Sequence, residues 1–233
     1  GIYYWYRVKK EFDILKESKG KKESLLFLNK KIKNLKIKSP KVYFDLGNIH
    51  KGFKEYKKSI EYFNLALEEI NKDSDSYADI LYRRGGSYER MKDFENADKD
   101  LLLSLKLIPD QPYVLNYLAY SWLERKIKIN KSMQMLLNAY EQKKEDPFII
   151  DSVGWAYYLT EDYLSAEKYL KIALLKMPDD PIVNDHYGDV LWKLNKKLQA
   201  SYYWKAALSS NEAEEQLKKD INNKLIFGLN KLQ

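Results

Sequence analysis

The chain has 233 residues, a formal net charge of +7 and no cysteine. The absence of thiols excludes disulfide bonds and thiolate metal sites. An apolar share of 45% is enough for a continuous core, and no apolar run approaches the roughly 20 residues that a bilayer-spanning helix needs.

The basic charge belongs to the N-terminal segment, residues 1–39. This segment holds twelve Lys or Arg and four Asp or Glu, whereas the rest of the chain is nearly neutral. We predict a degenerate helix pair here, Ile2–Glu17 and Glu23–Leu35, split at Gly20. Its lysines predict a solvated helix face, with an anionic membrane surface or nucleic acid as the alternative contact. They include Lys9, Lys10, Lys19, Lys21, Lys22, Lys30, Lys31, Lys33, Lys36 and Lys38.

Residues 40–214 repeat with a period of about 34 residues. Pro147 and Pro181 are 34 apart, and so are Gly154 and Gly188. A fixed period in this range indicates stacked helical repeats, without an internal boundary, rather than a closed globule. The sequence predicts five units, at 40–73, 78–111, 112–146, 147–180 and 181–214.

Each unit is predicted to be two antiparallel helices joined by a turn. In the fourth unit, Asp146 is a good N-cap residue and Pro147 suits the first helical turn. Gly154 and Ala166 are small because the two helices are expected to touch closely at these positions.

Residues 212–233 are predicted to be a capping helix that overlaps the end of the last unit. Leu217, Ile221 and Leu225 recur at helical spacing. A stacked array needs such a helix because its last unit otherwise exposes an apolar face. The predicted fold class is all-α, a right-handed α-solenoid of antiparallel helix pairs with a C-terminal capping helix.

The repeated pattern of Leu-Gly or Leu-Ala, Tyr or Trp, Ala, a large apolar residue, Ala and Pro resembles the tetratricopeptide repeat, a helix-turn-helix unit of about 34 residues. The resemblance covers residues 40–214, and 1–39 only loosely. A narrower similarity lies in the stretches 114–122, 150–158 and 183–192. These resemble the C-terminal repeats of proteobacterial cell-envelope tetratricopeptide proteins, which include lipoprotein adaptors of carboxyl-terminal processing proteases.

This resemblance implies a concave groove lined by the fifth, ninth and twelfth residues of the first helices. Aromatic residues beside carboxylates predict a protein or peptide partner with apolar and basic side chains. Inter-repeat packing of Trp155 and Trp192, and a solvated face for the three aspartates, are the alternatives. The predicted groove residues are Tyr82, Asn116, Tyr120, Asp151, Trp155, Tyr158, Asp185, Asp189 and Trp192.

The sequence contains no recognisable catalytic constellation. Of its two histidines, His50 falls on a core-facing helical position. His186 lies near Asp185 and Asp189, where a polar surface is the stronger interpretation and a metal site the weaker one. We therefore predict that the chain is not an enzyme and has no cofactor and no bound metal.

The predicted function is a non-enzymatic scaffold or adaptor that binds a peptide or protein segment and no small-molecule substrate. The resemblance implies the bacterial cell envelope or periplasm, and delivery of substrates to an envelope protease or assembly machine; a cytoplasmic location stays open. The alternative is a structural protein that associates with an anionic membrane surface or nucleic acid through residues 1–39. Because the chain begins with Gly1 rather than Met, the presence of a signal or lipidation segment before it is also open.

Overall fold

The computed structural model describes residues 1–36 and 39–229; Lys38 and residues 230–233 of the predicted segments lie outside these ranges. Within them the chain is helical and contains no strand, which confirms the all-α class. The helices are α1 (Ile2–Lys33), α2 (Pro40–Gly52), α3 (Tyr56–Glu68), α4 (Asp75–Arg90), α5 (Phe94–Leu107), α6 (Pro112–Glu124), α7 (Ile129–Gln142), α8 (Pro147–Leu159), α9 (Tyr163–Lys176), α10 (Pro181–Lys193), α11 (Lys197–Ser209) and α12 (Glu215–Phe227).

These helices form two compact units, Gly1–Pro109 and Asp110–Gln233. The structure thereby corrects the prediction of an array without an internal boundary. In the N-terminal unit α2 packs on α3 and α4 on α5; in the C-terminal unit the pairs are α6 with α7, α8 with α9, and α10 with α11. The boundary lies where Asp110 has a left-handed φ of 58° and interrupts helical backbone.

Proline and aspartate set the starts of the first helices α8 and α10. These helices begin at Pro147 and Pro181, and the preceding aspartates cap them as predicted. The Asp180 carboxylate accepts hydrogen bonds from the backbone N–H groups of Ile182 at 2.9 Å and Val183 at 3.0 Å. Such a cap satisfies donors that have no partner inside the helix and contributes about 1 kcal/mol.

Glycines allow the paired helices to approach closely. A Cβ on Gly188 of α10 would lie 2.5 Å from the Trp204 ring, and one on Gly154 of α8 would lie 2.7 Å from Leu170. Neither site has room for a methyl group unless the partner side chain moves. The close contact predicted at Gly154 is therefore confirmed, and the first helices are held at a fixed distance from the second helices.

The turn inside each helix pair contains a residue with left-handed backbone. In every case the second helix begins two or three residues further on. A Cβ makes this conformation about 1–2 kcal/mol less favourable than helical backbone, so the packing of the two helices must impose it. The residues are Lys54, Lys92, Lys126, Glu161 and Asn195, with φ between 55° and 65°.

An additional helix lies at each end of the chain. In the N-terminal unit, α1 is interrupted at Gly20, where φ is 80° and ψ is −172°, and it packs Trp5 and Phe12 into a core shared with α2. In the C-terminal unit, α12 packs against α11 and inserts Ile221 into the core of the last helix pair. Gly20 thus divides α1 into two helical segments, at the position where the sequence predicted the split, whereas α12 is one helix.

Candidate functional site

The residues predicted to contact a partner in the C-terminal unit lie on its three first helices. Because α8 packs against both α6 and α10, these residues form one surface, which we call the first-helix face. Four of its members are half-buried and the other four are buried. The half-buried ones are Asn116, Tyr120, Trp155 and Trp192, and the buried ones are Asp151, Tyr158, Asp185 and Asp189.

The two aspartates of α10 bind a lysine from α12. The Lys224 ammonium donates to Asp185 Oδ1 at 2.8 Å and to Asp189 Oδ2 at 3.0 Å, and only 12% of the lysine side chain is exposed. The Trp204 indole N–H donates to Asp189 Oδ1 at 2.9 Å. These carboxylates were predicted to meet a partner's basic residue; in the structure they have an internal cation, and their contact with a partner stays a prediction.

The shared ammonium leaves this cluster short of positive charge. Burial and the neighbouring Asp185 raise the pKa of Asp189 to about 7, although Lys224 acts in the opposite direction. Burial alone lowers the pKa of Lys224, but the two carboxylates outweigh it and raise the pKa. Burial thus dominates the shift at Asp189, whereas attraction to the two carboxylates dominates the shift at Lys224.

His186 faces Asp151 of α8 rather than the aspartates of its own helix. Its Nδ1 lies 3.0 Å from Asp151 Oδ1, and its Nε2 lies 3.5 Å from the Tyr120 hydroxyl. Burial alone lowers the pKa of His186, but Asp151 raises it to about 9, so the imidazole is protonated at neutral pH. The prediction of a solvated polar surface here is wrong, because His186 is 4% exposed.

A metal site was the weaker prediction at this histidine. The structure brings His186 to Asp151, while Asp185 and Asp189 bind Lys224. Among the residues that the structure describes, no group of three or more His, Cys, Asp or Glu is placed to hold a metal ion. The chemistry of this cluster is therefore that of buried ion pairs.

Aromatic rings extend the first-helix face beside the His186–Asp151 pair. The Trp155 indole stacks on the His186 ring with centroids 4.0 Å apart and on the Tyr158 ring at 4.6 Å. An indole over a protonated imidazole gains a cation–π attraction in addition to apolar contact. Trp155 therefore packs between α8 and α10, and its half-buried side chain still presents apolar surface to solvent.

Trp192 lies at the end of the face, beneath the C-terminal end of α12. A Cβ on Gly228 would clash with the Trp192 ring, and Gly228 has a φ of 70°. Close approach and left-handed backbone thus both require glycine here. Trp192 also packs on Trp204, with ring centroids 5.4 Å apart. This part of the face is covered by a segment of the chain itself.

The first helices of the N-terminal unit carry cations as well as aspartates. Tyr82 is half-buried on α4, and its predicted role stays a prediction. The neighbouring Arg83 lies over the Phe44 ring at 5.3 Å, and burial together with Arg83 lowers the pKa of Lys51 to about 8. Phe44 also lines a groove of about 390 Å³. Its other lining residues are Ser39, Pro40, Lys41, Ile70, Ser76, Asp79 and Ile80.

Several lysines of the basic N-terminal segment have partners within their own unit. Lys9 forms an ion pair with Asp45 at 3.5 Å, and Lys16 and Lys21 lie over the Phe53 ring at 5.2 Å and 5.4 Å. These contacts account for part of the basic surface, so association with a membrane or nucleic acid is not favoured. Across residues 1–36 and 39–229, no helix combines the length and the apolar character needed to cross a bilayer.

Sequence reasoning missed Lys224 and the pairing of His186 with Asp151, although signals for both were present. Lys224 follows Ile221 by three residues, which places it at the edge of the apolar stripe of α12. His186 follows Asp151 by 35 residues. In stacked repeats, residues about one period apart lie on neighbouring first helices, so the period itself indicates this contact.

The paired helices define a class of protein built from helical-hairpin repeats. A sequence profile of the tetratricopeptide repeat family matches residues 40–73 and 78–111. A curated TPR repeat-containing protein of Pseudomonas aeruginosa is 31% identical over 124 residues, which is 53% of this chain and 21% of that protein. Residues 40–73 and 78–111 thus match the tetratricopeptide repeat. The chain spans about a fifth of the length of this curated relative.

Solved tetratricopeptide proteins share the fold at low sequence identity. A thermophilic TPR protein of Thermus thermophilus has a TM-score of 0.65 at 17% identity, over 81% of this chain and 100% of that chain. PilF of Pseudomonas aeruginosa has a TM-score of 0.62 at 17% identity, over 81% and 91%. MamA of Desulfovibrio magneticus RS-1 has a TM-score of 0.59 at 15% identity, over 76% and 97%.

These similarities confirm the predicted α-solenoid class of antiparallel helix pairs. Proteins of this fold are generally non-enzymatic scaffolds for protein–protein interaction, and their partners are proteins or peptides. The fold thus supports an interaction scaffold as the general function of this chain.

Proposed function

We propose that the chain is an interaction scaffold that binds a protein or peptide segment on the first-helix face of its C-terminal unit. The observation that carries the proposal is the half-buried aromatic surface around Trp155, which lies directly beside buried carboxylates. Aromatic anchors of this kind dominate binding energy at protein interfaces. The partner therefore has apolar side chains that pack on the rings and a positive charge that matches the carboxylates.

The ring contacts of Trp155 hold its half-buried side chain in place on the face. Trp155 is fixed on two sides, by the His186 ring and by the Tyr158 ring. A side chain already held in one conformation loses little entropy when a partner packs against its free surface. The face is thus preorganised for binding.

Site-specific photo-crosslinking tests the proposal. A photoreactive phenylalanine analogue replaces Trp155 in the full chain, and the matched control carries it at Tyr202, which is 68% exposed on α11 outside the face. After irradiation in the native cell, mass spectrometry identifies the adducts. We expect one protein to crosslink at position 155 and not at 202. Equal labelling at both positions, or none at 155, rejects the face as the binding site.

We further propose that this scaffold acts as an adaptor in the bacterial cell envelope and delivers substrates to an envelope protease or assembly machine. The similarity of stretches 114–122, 150–158 and 183–192 to envelope tetratricopeptide proteins supports this role. Fractionation of the native cell tests it: we expect the protein in the periplasmic or membrane fraction, together with a protease that crosslinks at position 155. Recovery with cytoplasmic marker proteins counts against the envelope role and leaves the binding face untouched.

A further inference from the structure

The N-terminal unit contains a groove between the start of α2, the start of α4 and the chain just beyond α3, which we call the Phe44 groove. Its volume of about 390 Å³ lies within the range of roughly 300–1,000 Å³ that is usual for ligand-binding clefts. Phe44, Ile70 and Ile80 supply most of its apolar lining. Because Phe44 and Ile70 are only half-buried, the groove can take a large apolar side chain.

Two cations lie beside the Phe44 ring. The Lys41 ammonium is 5.6 Å from the ring centroid, and the Arg83 guanidinium carbon is 5.3 Å from it. Lys41 lines the groove, and Arg83 forms an ion pair at 3.3 Å with Asp79, which also lines it. The side chains of Lys41 and Arg83 are 44% and 41% exposed, so a partner in the groove can reach both.

The hydrogen-bonding groups at the groove favour a ligand that supplies acceptors. Arg83 donates from Nε to Asp79 at 3.3 Å and from Nη1 to Asn48 at 3.4 Å. Its Nη2 group donates to no residue that the structure describes. The Ser39 side chain, which lines the groove at the start of α2, makes no capping hydrogen bond. Donors of this kind fit a carboxylate, because a guanidinium that stacks on a ring still presents N–H groups in its own plane.

The ion pairs at the groove leave a surplus of positive charge. Lys41 shares the Asp45 carboxylate with Lys9, at 2.8 Å and 3.5 Å, so two ammonium groups face one carboxylate there. Arg83 has Asp79 as its carboxylate, and an exposed pair of this kind contributes at most about 1 kcal/mol. These three cations thus face two carboxylates, and a partner's carboxylate restores the balance.

We propose that the Phe44 groove is a second docking site of the scaffold, specific for an acidic protein segment. A large apolar side chain of this segment packs on Phe44, and a neighbouring Asp or Glu pairs with Lys41 and Arg83. The occupant is a protein segment because the groove is formed by the two repeats that match the tetratricopeptide profile, and this fold supports protein or peptide partners. The inference goes beyond the proposed function and does not depend on the first-helix face.

The two units then differ in the charge of the segment that each accepts. The partner proposed for the first-helix face of the C-terminal unit carries a positive charge, whereas the partner of the Phe44 groove carries a negative one. Opposite preferences prevent the two partners from exchanging sites, because each meets a like charge at the wrong site. An adaptor has to hold two different proteins, and this difference in charge supplies the discrimination.

A peptide library tests the chemistry of the groove. Short random peptides are displayed on phage and selected on the full chain; selected sequences are then synthesised with amidated C-termini and a fluorescent label, and their affinities are measured by anisotropy. We expect one class to place Asp or Glu beside a large apolar residue and to bind Arg83→Ala about tenfold more weakly than the wild type. Serine in place of the apolar residue should lower the affinity by a similar factor. If Arg83→Ala weakens no acidic peptide, the inference is overturned.

Lys57 supplies the matched control, because it is an exposed lysine near the start of α3, whereas the groove lies beyond the end of that helix. Lys57→Ala should leave the affinity unchanged, and an equal loss for Lys57→Ala and Arg83→Ala overturns the inference. A charge swap then tests direct pairing. Arg83→Glu should bind the acidic peptide more weakly than Arg83→Ala does, and it should gain affinity for the same peptide with Lys in place of Asp or Glu. Equal binding of the two peptides to Arg83→Ala and Arg83→Glu contradicts a direct ion pair.

A second measurement needs no substitution in the chain. A photoreactive leucine analogue replaces the apolar residue of the selected acidic peptide, and mass spectrometry maps its adducts on the wild-type chain. We expect adducts within residues 39–44 and 76–80 or at Ile70. Adducts confined to the C-terminal unit overturn the inference.

The same crosslink distinguishes a protein partner from other polyanions. Mixed phosphatidylcholine–phosphatidylserine vesicles and a single-stranded oligonucleotide are added as competitors, each at the same concentration of negative charge as unlabelled peptide. We expect the peptide to suppress the crosslink most strongly. Stronger suppression by vesicles or by the oligonucleotide overturns the assignment to a protein segment. The crosslinking at position 155 reports on the other unit, so failure of the proposed function and failure of this inference are distinguishable.

Discussion

The helices at the two ends of the chain are held by different forces. In the N-terminal unit, α1 buries Trp5, Val8 and Phe12, each at most 2% exposed. In the C-terminal unit, α12 buries Ile221 and places Lys224 on two carboxylates. Both ends also contain a tryptophan indole that donates to an aspartate at 2.9 Å. The chemistry around those aspartates differs.

The difference is in the burial of the cation. Asp45 pairs with Lys41, which is 44% exposed, whereas Asp189 pairs with Lys224, which is 12% exposed. An exposed ion pair contributes little to stability, and each buried apolar side chain contributes about 1.5–3 kcal/mol. α1 is therefore held mainly by apolar burial, while α12 combines apolar burial with a buried ion pair.

The largest expected effect is at Trp5. Trp5→Ala removes a fully buried indole and the donor to Asp45, so we expect the free energy of unfolding to fall by about 3–5 kcal/mol. Urea denaturation followed by circular dichroism measures this loss. Tyr3→Ala, at a position that is 82% exposed, is the control and should change stability by less than about 0.5 kcal/mol. A loss below about 1 kcal/mol for Trp5→Ala contradicts the apolar attachment of α1.

A smaller loss, of about 3 kcal/mol, is expected for Lys224→Ala at pH 8, because two buried carboxylates lose their cation. Lys41→Ala is the control and should cost at most about 1 kcal/mol. The pKa of Asp189 is raised to about 7 with Lys224 present and rises further without it. A raised carboxylate pKa means that the ionised form costs stability as pH rises through it, so the loss should be smaller at pH 5. A loss independent of pH argues against the shared ammonium.

The two histidines give the third contrast. Burial lowers the pKa of His50 in the N-terminal unit, whereas Asp151 raises the pKa of His186 to about 9. The stabilisation from His186 is complete below about pH 6.5 and is lost as pH rises through 9; the loss is about 3 kcal/mol. The stabilisation from His50 is present above about pH 6.5, and it is lost as pH falls through the lowered pKa of this histidine.

Titration of the imidazole resonances by NMR, with His186→Gln to assign them, checks both directions. The wild type should lose more stability between pH 7 and pH 10 than the His186→Gln chain. Two histidines that titrate together near 6.5 would remove the contrast between the units.

The smallest expected effect lies in a turn. Glu161 has a left-handed φ of 65° between α8 and α9, and glycine adopts this conformation without strain. We expect Glu161→Gly to raise the free energy of unfolding by about 0.5 kcal/mol, after the greater flexibility of the unfolded chain is deducted. Thermal denaturation measures the gain. A marked loss of stability would show that the Glu161 side chain, and not its backbone, matters for the turn.

The repeated architecture could be predicted because its signals are local. Gly154 and Gly188 mark close helix contacts one period apart, and Asp146 and Asp180 mark helix starts. The boundary between the two units could not be predicted from the period. It depends on how strongly neighbouring repeats pack, and that strength is spread over many side chains rather than carried by one motif.

The proximity of Asp185 and Asp189 could be predicted from the sequence, but their cation could not. Residues four apart lie on one face of a helix, and both aspartates lie on the same face of α10. Their cation, Lys224, is 39 and 35 residues further along the chain. Only the return of α12 onto the last helix pair brings it close, and the amphipathic pattern gives that helix an apolar face without giving its direction.

The contact between Gly228 and the Trp192 ring has an optical consequence. While α12 is seated, the chain backbone shields this indole; if the helix departs, water reaches the ring. The fluorescence emission of Trp192 then shifts to longer wavelength, so this tryptophan reports whether α12 is docked on the last helix pair. A variant that retains Trp192 and replaces the other four tryptophans with phenylalanine would read that signal alone.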